Sequence, residues 1–377
     1  MAEDTPDEEE DYGIAEIVDL EETTAPTLPY EPSDPESYDP GIALVGTGGI
    51  SEQHLDAYTA AGYDVVALCN RTREKAVDRN EEYDLDADVY EDYRDVLARD
   101  DVEVVDLLPH PVQREEIIED SLRAGKHVLS QKPFVVDLEF GERMVELADE
   151  QGVRLAVNQN GRWAPHWSYV RHAIADGLIG EPHGVHFNVD WNHNWIAETE
   201  IDDVEHAILY DFAVHWFDIL NCFLGDAEPE RVYASYERSP SQQATPPMLA
   251  NAVVEYEGAQ ATFSFDADTK LGPEDRTYVA GTEGTIKSEG PDLEEQTVTL
   301  YTEDGYATPD LAGTWFPDGF HGTMGELLCA IEEDREPYNS ARDNLRSLEL
   351  CFAAVASAED NEPKVPGEVR QMRGIGD

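Results

Sequence analysis

Three places in the sequence hold residue types whose spacing could do chemistry. The first is GIALVGTGGISEQHL, Gly41 to Leu55: a short apolar run, a glycine turn and the start of an amphipathic stretch. Gly46 permits a tight turn and Gly48 lets backbone approach a bound group closely. The amides of the following helix start face negative charge, so the turn suits a pyrophosphate. Glycines alone are a weak signal, but here they follow a strand, precede a helix and open a βαβ unit, with Ser51 at the third glycine position. The second place is Gln131-Lys132-Pro133, directly after the apolar run HVLS. A lysine there stands at the carboxyl end of a parallel strand, where α/β proteins bind ligands. The third is YDFAVHWFD, which sets Asp211 and His215 at i and i+4 on a helix otherwise made of Leu209, Phe212, Val214, Trp216, Phe217, Ile219 and Leu220. Polar groups on so apolar a helix are paired or chemically engaged. Taken alone, a core histidine satisfied by its i−4 carboxylate is the commoner arrangement. Beside a lysine and a dinucleotide turn, a reaction centre becomes the better reading.

The second strand ends in Cys69-Asn70-Arg71-Thr72. An acidic residue there would hydrogen-bond the adenosine ribose and repel a 2′-phosphate; Asn70 removes the repulsion and Arg71 can pair with that phosphate. NAD and NADP are therefore both admissible. An exposed Arg71 that touches nothing is the equal alternative.

These residues need elements to hold them. Strands are expected at Ile42–Val45, Val65–Cys69, Val104–Leu108, His127–Leu129 and Leu155–Val157, alternating with helices at Ser51–Ala61, Arg73–Tyr83, Tyr90–Arg99, Arg114–Ala124 and Leu138–Gln151. That alternation implies a parallel sheet with helices on both faces. After Arg162 comes a helix Pro165–Asp176, a strand His183–Trp191 and one long apolar helix from about Val204 to Phe223, ending at Gly225. Period-two strands follow at Arg231–Tyr236, Ala250–Tyr256, Ala261–Asp266, Arg276–Ala280, Thr285–Ser288 and Thr297–Tyr301, then helices near Gly322–Glu333 and Ala341–Ala358. The expected organisation is an acidic disordered tail over residues 1–39, an α/β Rossmann domain over 40–162, and an α+β substrate-binding and oligomerisation domain with a large open, mostly antiparallel sheet over 163–377.

The 377 residues carry 83 acidic and 25 basic side chains, a formal net charge of -58. Self-repulsion on that scale strains a compact fold in dilute salt, whereas at about 1 M salt the Debye length is roughly 3 Å. The expectation is a halophilic, cytoplasmic protein. Nucleic acid and anionic membranes are repelled and excluded as partners. Cys69, Cys222, Cys329 and Cys351 are scattered, without a CxxC pair or clustered histidines, which supports neither a disulfide framework nor a metal site.

Five segments in order, VGTGGISEQHL, AGKHVLSQKP, VNQNGRWAP, DFAVHWFD and VAGTEGTI, resemble the Gfo/Idh/MocA family of NAD(P)-dependent sugar and polyol oxidoreductases, over essentially Gly41 to Val365. The resemblance implies cofactor contacts at Gly46, Thr47, Gly48, Gly49, Ile50, Asn70, Arg71, Leu108, Pro109, Gln131 and Lys132, with Arg162 and Trp163 lining the nicotinamide side. It also implies a catalytic Lys132, Asp211 and His215, and a homodimer or homotetramer formed through the open sheet. In chemical terms His215 takes a hydroxyl proton as hydride leaves carbon, Asp211 orients it, and Lys132 holds the same oxygen. Gln131 departs from the family's Glu, Gln113 from a frequent His, and Glu205 to Tyr210 lacks the glycines often found there.

The expected activity is hydride transfer between a nicotinamide and a hydroxyl or carbonyl carbon of a sugar, sugar acid or cyclic polyol. The alternatives are an NAD-dependent glycoside hydrolase of the same fold and a non-catalytic dinucleotide-sensing regulator. Retention of Lys132, Asp211 and His215 together argues against the regulator, which needs none of them. Trp191, Asn192, His193, Asn194, Trp195 and His206 are candidates to line the substrate site.

Overall fold

A computed structural model describes residues 19–374. Six strands, Gly41–Val45 (β1), Val65–Cys69 (β2), Asp88–Tyr90 (β3), Val102–Leu107 (β4), His127–Ser130 (β5) and Leu155–Val157 (β6), form one sheet in the order β3-β2-β1-β4-β5-β6. Every pairing is parallel, so the connections cross over through helices: Ser51–Ala61 (α1), Arg73–Glu82 (α2), Tyr93–Leu97 (α3), Pro111–Arg123 (α4) and Leu138–Gln151 (α5). With both faces covered, the strands read as continuous apolar runs, and Ile42, Ala43, Leu44 and Val45 are all buried. The strand order reverses between β1 and β4, which opens a crevice beyond their carboxyl ends.

One expected helix divides. Residues Tyr90–Arg99 were expected to be helical, but Asp88–Tyr90 pairs with β2 as an edge strand and only Tyr93–Leu97 is helical. Asp92 accepts the amide of Arg94 and so fixes the later start; Val89 and Tyr90 before it suit a strand.

The second sheet contains Pro182–Asp190 (β7), Pro229–Glu237 (β8), Leu249–Tyr256 (β9), Ala259–Asp266 (β10), Glu274–Gly281 (β11), Gly284–Gly290 (β12), Thr297–Thr302 (β13) and Gly305–Ala307 (β14). Their order is β14-β13-β12-β11-β7-β10-β9-β8, antiparallel except where β7 meets β10. Alternation is strict: Ala250, Ala252 and Val254 of β9 are buried while their neighbours are not. Helices Pro165–Ala175 (α6), Val214–Leu224 (α7) and Ala341–Asp360 (α9) pack on the buried face.

Chain order and core membership differ in two places. Helix Trp315–Glu332 (α8) places Phe320, Met324, Leu327 and Leu328 in one cluster with Ile42, Leu44, Leu55 and Tyr58 of the first sheet and α1. Residues from beyond 163 thus complete the core of the first unit. The segment 19–39, expected as part of a solvated tail, also lies against the body: Leu28 is buried, Tyr169 donates to the Pro26 carbonyl at 2.9 Å, and Ser37 and the Glu36 amide donate to Glu332 at 2.7 Å. Its sparse anchors, Leu28, Tyr30 and Tyr38, are too few to show as a periodic pattern, yet each finds an apolar surface. Residues 1–18 lie outside the described part.

Candidate functional site

The glycine turn sits at the mouth of the crevice. Gly46 has φ of 101°, and a Cβ there would come within 3.1 Å of Pro109 and 3.2 Å of Leu108, so only glycine fits between β1 and the loop after β4. Gly48 and Gly49 differ: a Cβ at either would meet nothing within 4 Å, leaving open space on the side that would face a ligand. The buried Ser51 fills the third glycine position and donates to the Gly48 carbonyl at 2.6 Å, holding the turn closed. No side chain caps α1 at Ile50, so its first amides remain available to a phosphate. These residues fit a dinucleotide pyrophosphate. At the end of β2, Asn70 donates to Thr47 at 2.9 Å and accepts from the Thr72 amide, while exposed Arg71 donates to Gln113 of α4 at 3.2 Å.

Beneath the turn lies a buried polar chain of which the sequence singled out only Gln131. His54 Nδ1 and the Tyr58 hydroxyl both meet Asp106 Oδ2 at 2.7 Å. His54 Nε2 lies 3.1 Å from Gln131 Nε2 and 3.3 Å from Asn158 Nδ2. The amides can only donate, so that ring nitrogen is the acceptor and Nδ1 carries the proton. Gln131 in turn accepts the Lys132 amide at 2.7 Å through Oε1. Asp106, an acid set directly among Val104, Val105 and Leu107 in strand Val102–Leu107, was the available signal. Arg114, also missed, is buried and donates to the carbonyls of Pro109, Pro133 and Phe134. It ties the two loops flanking the crevice together. Burial pulls its pKa down to about 10, against the opposing influence of Tyr210, Asp211 and Asp106.

Lys132 leaves β5 toward the second unit, where its Nζ donates to the Asp211 carbonyl at 2.9 Å and to Asp211 Oδ2 at 3.1 Å. An ammonium has three donors, so one remains. The expected continuous helix over Val204–Phe223 does not form. Ile208–Phe212 is a π-helical turn and the α-helix begins at Val214. The extra residue in that turn breaks the i, i+4 relation, and Asp211 accepts from Lys132 with no hydrogen bond to His215 among the described residues. The carboxylate thus positions the lysine, where the sequence suggested it would orient the histidine. His215 is buried, with Nδ1 lacking a hydrogen-bond partner among the described residues and its ring edge-on to Trp315 at 5.2 Å. Burial, and then the Lys132 charge, hold its pKa well below the ordinary histidine range, so the ring is neutral at pH 7.

The two residues expected at the nicotinamide side, Arg162 and Trp163, make extensive contacts within the protein. Arg162 is buried and its fork is engaged: Nε and Nη2 donate to Asp218 at 2.7 Å, Nη2 also to Asp343 at 2.6 Å, and Nη1 to the Tyr338 carbonyl. Trp163 is buried against α8, where a Cβ on Gly322 would fall 2.1 Å from its ring. Both lock α7, α8 and α9 to the strand-end segment.

Of the substrate-side candidates, Trp191 and His193 line a shallow depression with Phe212, Trp216 and Phe265. Their rings stack at 4.5 Å, and burial takes His193 to a pKa of about 4, partly opposed by Asp211. Asn194 is spent on Asn192, Asp268 and the Gln243 amide; Trp195 is exposed; His206 pairs with Glu359 at 2.9 Å, on the far side of the π-turn in a separate depression.

Two family profiles match the chain: residues 41–159 fit the oxidoreductase family with NAD-binding Rossmann fold, and residues 167–287 fit the GFO/IDH/MocA C-terminal domain. The chain belongs to the Gfo/Idh/MocA family. It is an NAD(P)-dependent oxidoreductase. Among curated relatives, D-apiose dehydrogenase of Paraburkholderia graminis is 26% identical over 339 residues, spanning 84% of this chain and 87% of its own. The 1,5-anhydro-D-fructose reductase of Ensifer adhaerens is 28% identical, over 84% of this chain and 95% of its own. A solved Agrobacterium radiobacter oxidoreductase, in complex with NAD+, L-tartaric acid and magnesium, superposes with a TM-score of 0.78 at 21% identity, covering 87% of this chain and 99% of that one. Among the described residues, no helix is long and apolar enough to cross a membrane.

Proposed function

We propose that this Gfo/Idh/MocA member transfers hydride between a nicotinamide and a CH–OH carbon of a sugar, sugar acid or cyclic polyol, with Lys132 and His215 at the reacting oxygen. The observation that carries the reading is a neutral buried His215, whose Nδ1 has no partner among the described residues, within reach of the charge of Lys132, itself held by Asp211 and keeping one free donor. The dinucleotide, when bound along Gly46 to Ile50, supplies the hydride acceptor or donor. In the oxidation direction His215 accepts the hydroxyl proton, which a neutral imidazole can do at pH 7. The remaining Lys132 N–H donates to the same oxygen and stabilises the charge that develops there. Asp211 fixes the ammonium, and Arg114 and Gln131 fix the loop that carries it. In reduction the same atoms return the proton.

The substrate class rests on the relatives, named for acting on D-apiose and 1,5-anhydro-D-fructose, and on the aromatic walls of Trp191, Phe212 and Trp216, which suit the C–H faces of a ring. We further read the protein as a cytoplasmic homodimer or homotetramer joined through the open sheet, and its net charge of -58 as adaptation to molar salt. Sedimentation and melting across a KCl series check those two readings. The central test is a panel of sugars, sugar acids, inositols and glycosides with NAD and NADP in parallel. Net change at the nicotinamide absorbance band with one of the polyols is expected; cleaved glycoside with no net change would give the hydrolase reading instead.

A further inference from the structure

Most cations of this chain are claimed by carboxylates, as 83 acidic residues against 25 basic ones would lead one to expect. Arg79, Arg94, Arg99, Arg123, Arg335 and Arg373 all sit within 4.0 Å of one. Arg71, Arg73 and Lys75 do not. All three are exposed, none has an ion-pair partner among the described residues, and they follow one another at the end of β2 and in the first turn of α2. Glu74 is the single acid among them, leaving a local formal charge of +2 from three cations and one anion, on a molecule that is otherwise strongly negative.

This patch lies where the adenosine ribose of a bound dinucleotide would rest. A carboxylate at that position would accept from the ribose 2′-hydroxyl and repel a 2′-phosphate. The position holds Asn70, uncharged and tied at both ends: Nδ2 donates to Thr47, and Oδ1 accepts from the Thr72 amide at 2.9 Å. Uncharged, and with one lone pair of Oδ1 engaged by the Thr72 amide, Asn70 is a weaker acceptor for a 2′-hydroxyl than a carboxylate and does not repel a 2′-phosphate. Among the described residues Arg71 has a single hydrogen bond, from Nη2 to Gln113 Oε1, a residue 42 positions away. That bond draws the guanidinium across the crevice mouth while leaving most of its five N–H groups free. An arginine so placed presents a fork matched to a phosphate.

We infer that the protein is specific for the 2′-phosphorylated cofactor, NADP(H), with Arg71, steered by Gln113, as the residue that reads the 2′-phosphate and Arg73 and Lys75 adding to the local positive potential. The inference rests on the dinucleotide-binding reading of the glycine turn and narrows it.

The test is direct binding to the full chain in high salt, by calorimetry or nicotinamide fluorescence, with NADPH, NADH and adenosine 2′,5′-bisphosphate as probes. A charge-assisted phosphate contact predicts NADPH tighter than NADH by roughly 10- to 100-fold, with the bisphosphate, which lacks nicotinamide, binding measurably. Arg71→Ala should collapse the NADPH:NADH ratio toward unity and Asn70→Asp should invert it, with melting temperatures showing that both variants fold. NADH binding as tightly as NADPH would overturn the inference and leave the dinucleotide reading standing. An unchanged ratio in Arg71→Ala would likewise overturn the role of Arg71. Failure of both dinucleotides to bind would overturn both readings.

Discussion

Two charge pairs join the parallel-sheet unit to the helical segment around α7, and they differ in what they leave unspent. Arg162 with Asp218 has side chains 1% exposed on both partners, and Asp343 and the Tyr338 carbonyl take further arginine donors. Ser347 donates to Asp218 at 2.9 Å. Lys132 with Asp211 has side chains 19% and 21% exposed, keeps an ammonium donor free, and stands near a buried histidine whose nitrogen has no partner among the described residues. A pair with its hydrogen bonds filled is structural; one with open capacity in a crevice is equipped to bind and react. Both pairs contain residues that the family resemblance assigns to the site, and only the tertiary contacts separate them.

The largest effect expected is on turnover. Lys132→Ala or His215→Ala should lower kcat/KM by roughly 10²- to 10⁴-fold, with melting temperature nearly unchanged. Wild-type rates in either variant would remove the crevice pair from the reaction. Next, Arg162→Met should cost about 3–5 kcal/mol in denaturant unfolding, because it leaves Asp218 buried without its cation. The double variant Arg162→Met/Asp218→Leu should recover part of that loss, and kcat in the folded fraction should move little. A stable but inactive Arg162→Met would instead return Arg162 to the nicotinamide side and break the contrast.

Smaller effects sharpen the crevice pair itself. Asp211→Asn keeps an oxygen and the backbone carbonyl for Lys132 but loses the charge, so a drop of about tenfold in kcat/KM is expected, equivalent to about 1.4 kcal/mol. The smallest is an ionisation. Burial and the Lys132 charge both favour neutral His215, so the acid limb of the oxidation rate should fall well below pH 6.5. Removing the cation in Lys132→Met should move the His215 titration upward toward 6.5, read by NMR of its ring protons. A downward or absent movement would show that the lysine charge does not reach the ring.

The buried relay under the glycine turn shows why some of the site was illegible. His54 and Tyr58 come from α1, Asp106 from β4, and Gln131 and Asn158 from the segments that follow β5 and β6, and apart from Gln131 beside Lys132 and Asp106 between Val105 and Leu107 none stands out in its own window. Their meeting depends on which strands neighbour one another, which periodicity does not encode. The same holds for Arg114, a helical residue like many others until its donors meet two loops. By contrast α1 and α5 occur at the bounds expected from sequence, since caps and apolar spacing are local properties.

The sequence by itself therefore determined the alternating strand and helix pattern, the glycine turn, the lysine at the end of β5 and the charge of the surface. Each depends on residues close together in the chain. Tertiary structure decided that α8 completes the first core, that a π-turn sends Asp211 to Lys132 while His215 Nδ1 has no partner among the described residues, and that the Arg162 donors are taken by Asp218, Asp343 and the Tyr338 carbonyl. Those outcomes turn on where hydrogen-bonding capacity is filled, and partners from 56 to 181 residues apart decide it.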